Sequence, residues 1–322
     1  MKNKVVLIIG GTGSWGDGLI TELLKEDILK IKVFARNEFQ MVMLMRKYNN
    51  PKIEIIIGDI RDYNALEIAC ENVDIVYHLA ALKHVPICEQ LPDEAIETNI
   101  FGTQNVIDAS IANDVDKVIF TSTDKAVNPN CTYGSTKMLG EKLILSANNR
   151  NSRTKFIVFR GGNLIGSTGS VIPLFEDQIL EKGSISLTDE NMNRFFISVH
   201  SASQLLIKIS KRGIGGEIYI PNMPSIFIRD IAKYILNKWN INPDKIELIG
   251  KRPGEKISEV LVAENERKSL YRFDESLFII CNDQHGWLAN GVIQYVDEFD
   301  ENSAVNQLSY SQVVTFLKSA GV

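Results

Sequence analysis

The sequence predicts an α/β fold built on a doubly wound parallel sheet, and three observations carry that expectation. Short β-branched runs alternate with helical stretches through the first half of the chain. Several of the runs are apolar at successive positions, as strands covered on both faces are. Strand and helix alternate five times, which with right-handed crossovers gives parallel neighbours.

In chain order, the strands are expected at Val5–Ile9, Ile31–Ala35, Ile53–Ile57, Ile75–His78, Lys117–Thr121 and Phe156–Phe159. Helical patterns fill the gaps at Ser14–Leu24, Phe39–Lys47, Tyr63–Cys70, Pro92–Ala112 and Thr132–Asn148. This is a Rossmann-like, dinucleotide-binding arrangement. After Gly161 the rhythm breaks into turn-rich segments at Gly161–Gly169 and Gly213–Gly216. Ser201–Lys211 reads as a helix, Glu217–Ile220 as a strand and Pro224–Trp239 as a turn followed by a helix. Gly250–Gly254 reads as a loop and Ser309–Lys318 as a closing helix. This half is expected to form a smaller C-terminal substrate-binding lobe over the carboxyl ends of the strands.

Composition narrows the function. The 322 residues are 44% apolar and 23% charged, an ordinary soluble balance. Lysine plus arginine is 35 against 40 acidic residues, so the net charge is 35 − 40 = −5. A general affinity for nucleic acid needs a basic surface and is excluded. Cys70, Cys88, Cys131 and Cys281 lie far apart with no CxxC pair, so reduced thiols are expected and neither a disulfide framework nor a metal site. The opening apolar run is too short for a signal peptide, and no stretch nears the ~20 apolar residues of a membrane span. A cytoplasmic protein without a membrane partner is expected.

Gly10, Gly13 and Gly16 form GxxGxxG between the first strand and the first helix, with Thr12, Ser14 and Trp15 in the same turn. Such a turn lets a pyrophosphate approach bare backbone at a helix amino terminus. The plain alternative is a glycine-rich turn. A P-loop is excluded because Asp17-Gly18 follows where Gly-Lys-Ser/Thr would stand. Trp239 and Trp287, like the ring of Trp15, read as core or interface residues. The second strand ends at Arg36 with no acidic residue at its tip, which favours the 2′-phosphate of NADP over the ribose of NAD. A solvated surface arginine is the alternative. Asp59 and Ile60 follow the third strand, placed for the adenine amino group and ring; a helix-capping aspartate is the alternative.

Thr121 to Lys137 is the most informative stretch. Tyr133 and Lys137 are four apart on one helical face, and a nearby ammonium lowers a phenol's pKa, making Tyr133 a usable base. Thr123 can hydrogen-bond the same substrate oxygen. Asp124 and Lys125 sit between them in sequence; a solvated loop pair is the bland reading.

The glycine turn, Asp59 and Tyr133-xxx-Lys137 resemble the extended short-chain dehydrogenase/reductases, which act on nucleotide sugars. Ala80-Ala-Leu-Lys-His-Val-Pro, Ser122-Thr-Asp-Lys-Ala-Val-Asn-Pro, Gly166-Ser-Thr-Gly-Ser-Val-Ile-Pro and Arg252-Pro-Gly-Glu-Lys sharpen the resemblance. Those stretches resemble the UDP-N-acetylglucosamine 4,6-dehydratases, in particular the soluble C5-inverting group of the pseudaminic acid pathway. Departures are Ile9 before the first glycine, Gly162 in place of a tyrosine and Thr168 in place of an arginine.

The resemblance implies NADP-dependent 4,6-dehydration of UDP-N-acetylglucosamine for nonulosonic, surface-sugar synthesis. Oxidation at C4 makes the C5 proton acidic; removing water across C5 and C6 then needs a base and an acid, roles that fit Lys125 and Asp124. The resemblance adds Ala80, Ala81 and Lys83 to the cofactor side. On the sugar-nucleotide side stand Lys83, His84, Asn99, Asn163, Val171, Arg194, Arg252 and Glu255, with surface ion pairs as the alternative for the arginines. Residues 1–165, with 192–220 returning, are expected to form the NADP-binding domain, and 166–191 with 221–322 the substrate lobe. Helices 92–112 and 132–148 are expected to build a four-helix dimer interface, within a homo-oligomer that could extend to a hexamer. Rival readings are a GDP-N-acetylglucosamine or retaining dehydratase, a dehydratase–epimerase, a simple reductase, or a non-catalytic NADP-binding regulator.

Overall fold

Alternation within single strands decides the architecture. In β1 (Val5–Ile9), Leu7 and Ile9 join one buried cluster while Val6 and Ile8 join another. A strand buried on both faces must lie inside a sheet with helices on each side. The computed structural model describes residues 1–150, 153–167, 169–252, 254–282, 291–296 and 307–322. After β1 come α1 (Ser14–Leu23), β2 (Lys30–Ala35), α2 (Glu38–Tyr48), β3 (Ile53–Ile57), α3 (Tyr63–Cys70), β4 (Ile75–His78), α4 (Val85–Gln90) and α5 (Pro92–Ile96). A π-helical turn (Glu97–Phe101) leads into α6 (Gly102–Ala112), β5 (Lys117–Thr123), α7 (Thr132–Ala147) and β6 (Lys155–Gly161). The second half holds β7 (Asn163–Leu164), α8 (Val171–Lys182), β8 (Ile185–Leu187), β9 (Asn193–Ile197), α9 (Val199–Arg212) and β10 (Ile218–Pro221). It ends with β11 (Ser225–Phe227), α10 (Ile228–Lys238), β12 (Ile246–Leu248), β13 (Leu270–Asp274), β14 (Leu277–Ile280), β15 (Gln294–Tyr295) and α11 (Tyr310–Ser319).

Among the described residues the large sheet runs β3-β2-β1-β4-β5-β6-β10-β14-β13-β15. Every pair from β3 to β10 is parallel, and the last three strands are added antiparallel. One face is covered by α3, α6 and α7, the other by α1, α2 and α9. The strand order reverses between β1 and β4, which opens a crevice at the carboxyl edge. A separate cluster around Phe175, Phe196, Ile231 and Leu317 packs α8, α10 and α11 against two small sheets, β11-β9-β7 and β12-β8. The α/β doubly wound class is as the sequence predicts. No helix among the described residues is long and apolar enough to cross a membrane.

The structure differs from the expectation in four places. The helix expected at 92–112 is interrupted by the π turn, whose extra width turns Asn99 inward. The short strands β7, β8 and β9 and the helix α8 lie within or beside turn-rich sequence where periodicity is too brief to read. β13, β14 and β15 fall in the stretch assigned to the small lobe yet hydrogen-bond into the large sheet, because the wholly buried run Leu277–Ile280 pairs with β10. β9, from the stretch expected to return to the large sheet, pairs instead with β7 and β11.

One buried charge ties these parts together. Arg160 on β6 is 2% exposed and donates to Glu141 of α7 at 3.0 and 2.7 Å, to Glu266 at 2.8 Å through both terminal nitrogens, and to the Leu261 carbonyl at 2.9 Å. Two carboxylates from distant segments therefore depend on one guanidinium. Arg160→Met would leave them uncompensated and should lower the unfolding free energy by about 3–5 kcal/mol. Urea denaturation measures this; a loss below about 1 kcal/mol would show that the bridge is dispensable.

Candidate active site

The crevice is lined from the glycine turn outward. Gly10 has φ +83°, and a Cβ there would lie 2.7 Å from the Ala80 backbone nitrogen, so the turn after β1 packs directly on the end of β4. The next helix starts at Ser14 with Gly13 as its N-cap and no side-chain cap. Gly10, Thr12, Gly13, Ser14, Trp15 and Gly16 all line a cavity of about 500 Å³. Bare backbone and an uncapped helix amino terminus facing a cavity suit a diphosphate, so the residues present fit a dinucleotide. Arg36, Ile60, Ala80, Ala81, Lys83 and His84 line the same cavity, as do Thr123, Lys125, Tyr133, Lys137 and Asn163. Most sequence-predicted site residues are thus brought to one wall.

Two short elements set the side chains at the end of β5. β5 extends two residues past its expected end, so Thr123 stands at its tip; a single 3₁₀ turn at Asp124–Ala126 follows. Cys131 caps α7 through its sulfur, which accepts from the Gly134 N–H at 3.4 Å. A Cβ at Gly134 would lie 2.3 Å from the Lys125 carbonyl oxygen, so this glycine lets the helix start press on the 124–126 turn. Tyr133 and Lys125 both line the cavity in consequence.

Asp124 is fully buried, and its Oδ1 accepts from the Thr123 hydroxyl at 2.9 Å and from Lys125 Nζ at 3.0 Å. Its Oδ2 is buried with no partner among the described residues. The Lys125 side chain is 20% exposed and lies 3.6 Å from a second carboxylate, Glu259. Burial pulls the Lys125 pKa down, but Asp124 and Glu259 more than offset it, and the net direction is up. The pair is an ion pair in the cavity wall, not a solvated loop pair.

Tyr133 and Lys137 depart from the expectation. Burial, then the Asp124 charge, raises the Tyr133 pKa, with only the Thr123 hydroxyl acting against them. The Lys137 ammonium lies over the Phe120 ring, 3.8 Å from its centroid, and burial pushes its pKa down to about 7, opposed by Glu141. The expected lowering of the phenol by its lysine neighbour is therefore not present in this arrangement, and the net direction is up.

Several predicted residues stand back from the cavity. Asp59 accepts from the Arg61 backbone and guanidinium and lies 3.6 Å from Arg36; Gly58 and Ile60 line the wall on either side. Burial works against its charge, but Arg61 wins and the pKa is lowered. Asn99 is 2% exposed and clamps the loop after β4, exchanging bonds with both backbone groups of Leu82 at 2.8 and 2.9 Å and donating to Thr136 at 3.0 Å. Val171 packs against the small-lobe core. Arg194 is buried and donates to the carbonyls of Asn193, Lys256 and Ile257, so its fork is occupied by backbone. Glu255 accepts from the Arg252 backbone at 3.1 Å, a local turn outside the cavity wall. Thr168 and Trp287 lie outside the described residues. A Cβ at Gly162 would lie 2.7 Å from the Phe195 carbonyl oxygen, which leaves no room for the tyrosine of the resembling family. Sequence reasoning missed Glu259 and Lys256 beside the Asp124–Lys125 pair, and Ser122, Ser167 and Ser170 in the wall. Only the Lys256 at the end of the Arg252-Pro-Gly-Glu-Lys stretch offered a signal.

A family model described as polysaccharide biosynthesis protein matches residues 6–280. A UDP-glucose 4-epimerase of Rickettsia bellii is 43% identical over 270 residues, covering 82% of this chain and 79% of that protein. An inverting UDP-N-acetylglucosamine 4,6-dehydratase of Campylobacter jejuni is 42% identical over 278 residues, covering 85% and 81%. The solved structure of Pen from Bacillus thuringiensis superposes with a TM-score of 0.94 at 39% identity, covering 99% of this chain and 98% of that one.

The buried lysine of α7 gives a pH test of the site. Its folded pKa of about 7 lies below its ordinary 10.5. Between those values the unfolded chain holds a proton that the folded chain does not, so this group makes stability rise with pH across the window and adds no slope below it. Lys137→Met should reduce the upward slope of unfolding free energy between about pH 7 and pH 10.5. Denaturant titrations at several pH values check it; identical slopes in both proteins would place the lysine's charge in solvent.

Proposed function

The chain belongs to the polysaccharide biosynthesis protein family, and from that premise we propose that it is a nucleotide-sugar 4,6-dehydratase acting on UDP-N-acetylglucosamine with inversion at C5. The observation that carries this reading is the Asp124–Lys125 pair, held in the cavity wall beside Thr123 and Tyr133. A 4-epimerase, the activity in the name of the Rickettsia relative, needs a base and a hydride store. It has no use for a second acid and base. Elimination needs both.

NADP is the proposed cofactor, with the turn from Gly10 to Gly16 under its diphosphate and Arg36 toward a 2′-phosphate. When bound, its nicotinamide supplies a hydride acceptor that later gives the hydride back, together with a positive ring charge. Tyr133 takes the proton of the C4 hydroxyl while Thr123 holds the same oxygen. Lys125, as the free amine, removes the C5 proton made acidic by the C4 ketone. Asp124 has no surface on the cavity, so its proton reaches the departing C6 hydroxyl through the Thr123 hydroxyl, which bonds it at 2.9 Å and lines the wall. Asn163, Lys83 and His84 face the cavity and are proposed to meet the sugar nucleotide. The product suits the synthesis of bacterial surface sugars, in keeping with the family. Exposed Ile96, Phe101 and Leu139 on α5, the π turn and α7 support a homo-oligomer through these helices.

Incubation with UDP-N-acetylglucosamine should give loss of one water by mass spectrometry, solvent deuterium at C5, and no net reduced cofactor. A mass-neutral epimer would sink the dehydratase reading in favour of epimerisation, and turnover of the GDP sugar alone would overturn the UDP assignment. Lys125→Ala should reduce dehydration by at least about 10²-fold while keeping cofactor affinity. In a separate binding titration, Arg36→Ala should weaken NADP by about tenfold or more and leave NAD nearly unchanged; equal losses for both would remove Arg36 from specificity.

A further inference from the structure

Lys125 is held by two carboxylates. Glu259 is 5% exposed, with Oε1 3.6 Å from Lys125 Nζ and Oε2 3.4 Å from Lys256 Nζ. Lys256 also donates to the Val127 carbonyl at 2.9 Å, on the chain just past the 124–126 turn. Arg194 fixes this segment from β9 by donating to the carbonyls of Lys256 and Ile257 at 2.8 and 3.0 Å. The charges therefore alternate through the cluster as Asp124, Lys125, Glu259 and Lys256, two negative and two positive. Lys125 alone of the four reaches the cavity. An acid so deeply buried is retained at a cost, and its neighbours say what it serves.

The chemistry proposed above fixes the proton count on the Asp124–Lys125 pair. Moving one proton from Nζ to Oδ1, across their 3.0 Å contact, gives a neutral amine and a neutral acid. The C5–H bond then breaks, its proton joins the amine, and its electrons form the C5–C6 double bond. The C6–O bond breaks, its electrons leave with oxygen, and the Asp124 proton makes that hydroxyl water. The pair ends as the ion pair it began as. A pair stripped of its proton retains a base and has no acid.

We propose that Glu259 is a positioning residue for this elimination, fixing the Lys125 amine at the cavity wall and keeping one proton on the Asp124–Lys125 pair during turnover. The inference rests on the dehydratase reading and deepens it. The charged groups that face Lys125 are Asp124 on its own turn, Glu259 from the 256–259 segment and Arg194 from β9, with Lys256 behind Glu259. Asp124 and Glu259 favour the protonated lysine; Arg194 and burial oppose it. Losing Glu259 therefore tips the pair toward losing its proton at lower pH.

The test is the pH dependence of kcat for Glu259→Gln in the full chain with NADP and UDP-N-acetylglucosamine. Its alkaline limb should move down by about one pH unit, with KM for the sugar nucleotide and NADP affinity within about twofold of wild type. Glu259→Asp should move the limb back toward wild type. The double variant E259Q/K256M keeps the cluster's charge sum at zero, guards against misfolding of the single variant, and should show the same displaced limb. An alkaline limb at the wild-type pH in either folded protein overturns the role. Failure of the wild type to dehydrate the sugar would instead overturn the function on which it rests.

Discussion

A buried positive charge beside the crevice must be answered by oxygen, and most of the local structure is arranged around that requirement. Lys125 is answered by Asp124 and Glu259, Arg160 by Glu141 and Glu266, and Arg194 by three backbone carbonyls. Lys137 is the exception. Its ammonium rests on the Phe120 ring, and its pKa falls accordingly. The compensated cations hold the framework. The uncompensated one can change its charge near neutral pH, as groups at functional sites often do.

These ion pairs also explain how distant sequence meets. The segment 254–269 carries little regular structure beyond a 3₁₀ turn, yet it supplies Lys256, Glu259 and Glu266 to the back of the cavity. Each contact anchors on an element of the large sheet or its covering helices: the turn after β5, β6, or α7 through Glu141. The segment therefore reaches the cavity side by charge and carbonyl contacts, alongside the apolar packing of Leu261 and Val262 into the large-sheet core. The small lobe's own core, around Phe175 and Ile231, is separate from the two clusters that sandwich the large sheet.

The parallel part of the large sheet was legible in the sequence because its strands are rich in β-branched residues and separated by helices of ordinary length, whereas the antiparallel addition β14-β13-β15 was not. Gly10, Thr123 and Tyr133 were legible because each sits at or next to the start or stop of a regular element, and Lys137 because it lies one helical turn on from Tyr133. Glu259 was not, since Lys256-Ile-Ser-Glu259 has no period and its role exists only after the chain folds back. Arg194 and Asn99 were legible as residues and not as roles. An arginine predicted for phosphate is satisfied by carbonyls, and an asparagine predicted near the cleft clamps the loop that lines it. Sequence reports the donor; the fold decides which acceptor arrives first. The Tyr133–Lys137 spacing likewise announced proximity, while desolvation, which no spacing encodes, set the direction of both pKa values.

Overall likeness cannot separate the two chemistries among the relatives. A protein named as an epimerase and one named as a dehydratase match this chain at 43% and 42% identity over nearly the same span. Oxidation at C4 is common ground for both reactions and asks for the glycine turn, a threonine, a tyrosine and a lysine. What distinguishes elimination is the need to remove a proton and deliver another within one turnover, without either group equilibrating with water. An acid and a base approach that need when they share a proton, touch each other and the acid is shut off from solvent. Asp124, with no exposed surface, and Lys125, with one face on the cavity, have that geometry. A solvated aspartate would exchange its proton between turnovers, and a lysine without flanking carboxylates would lose its own as it was buried. The two carboxylates around Lys125 are therefore the feature on which the proposed removal of water, in preference to inversion of a single carbinol carbon, rests.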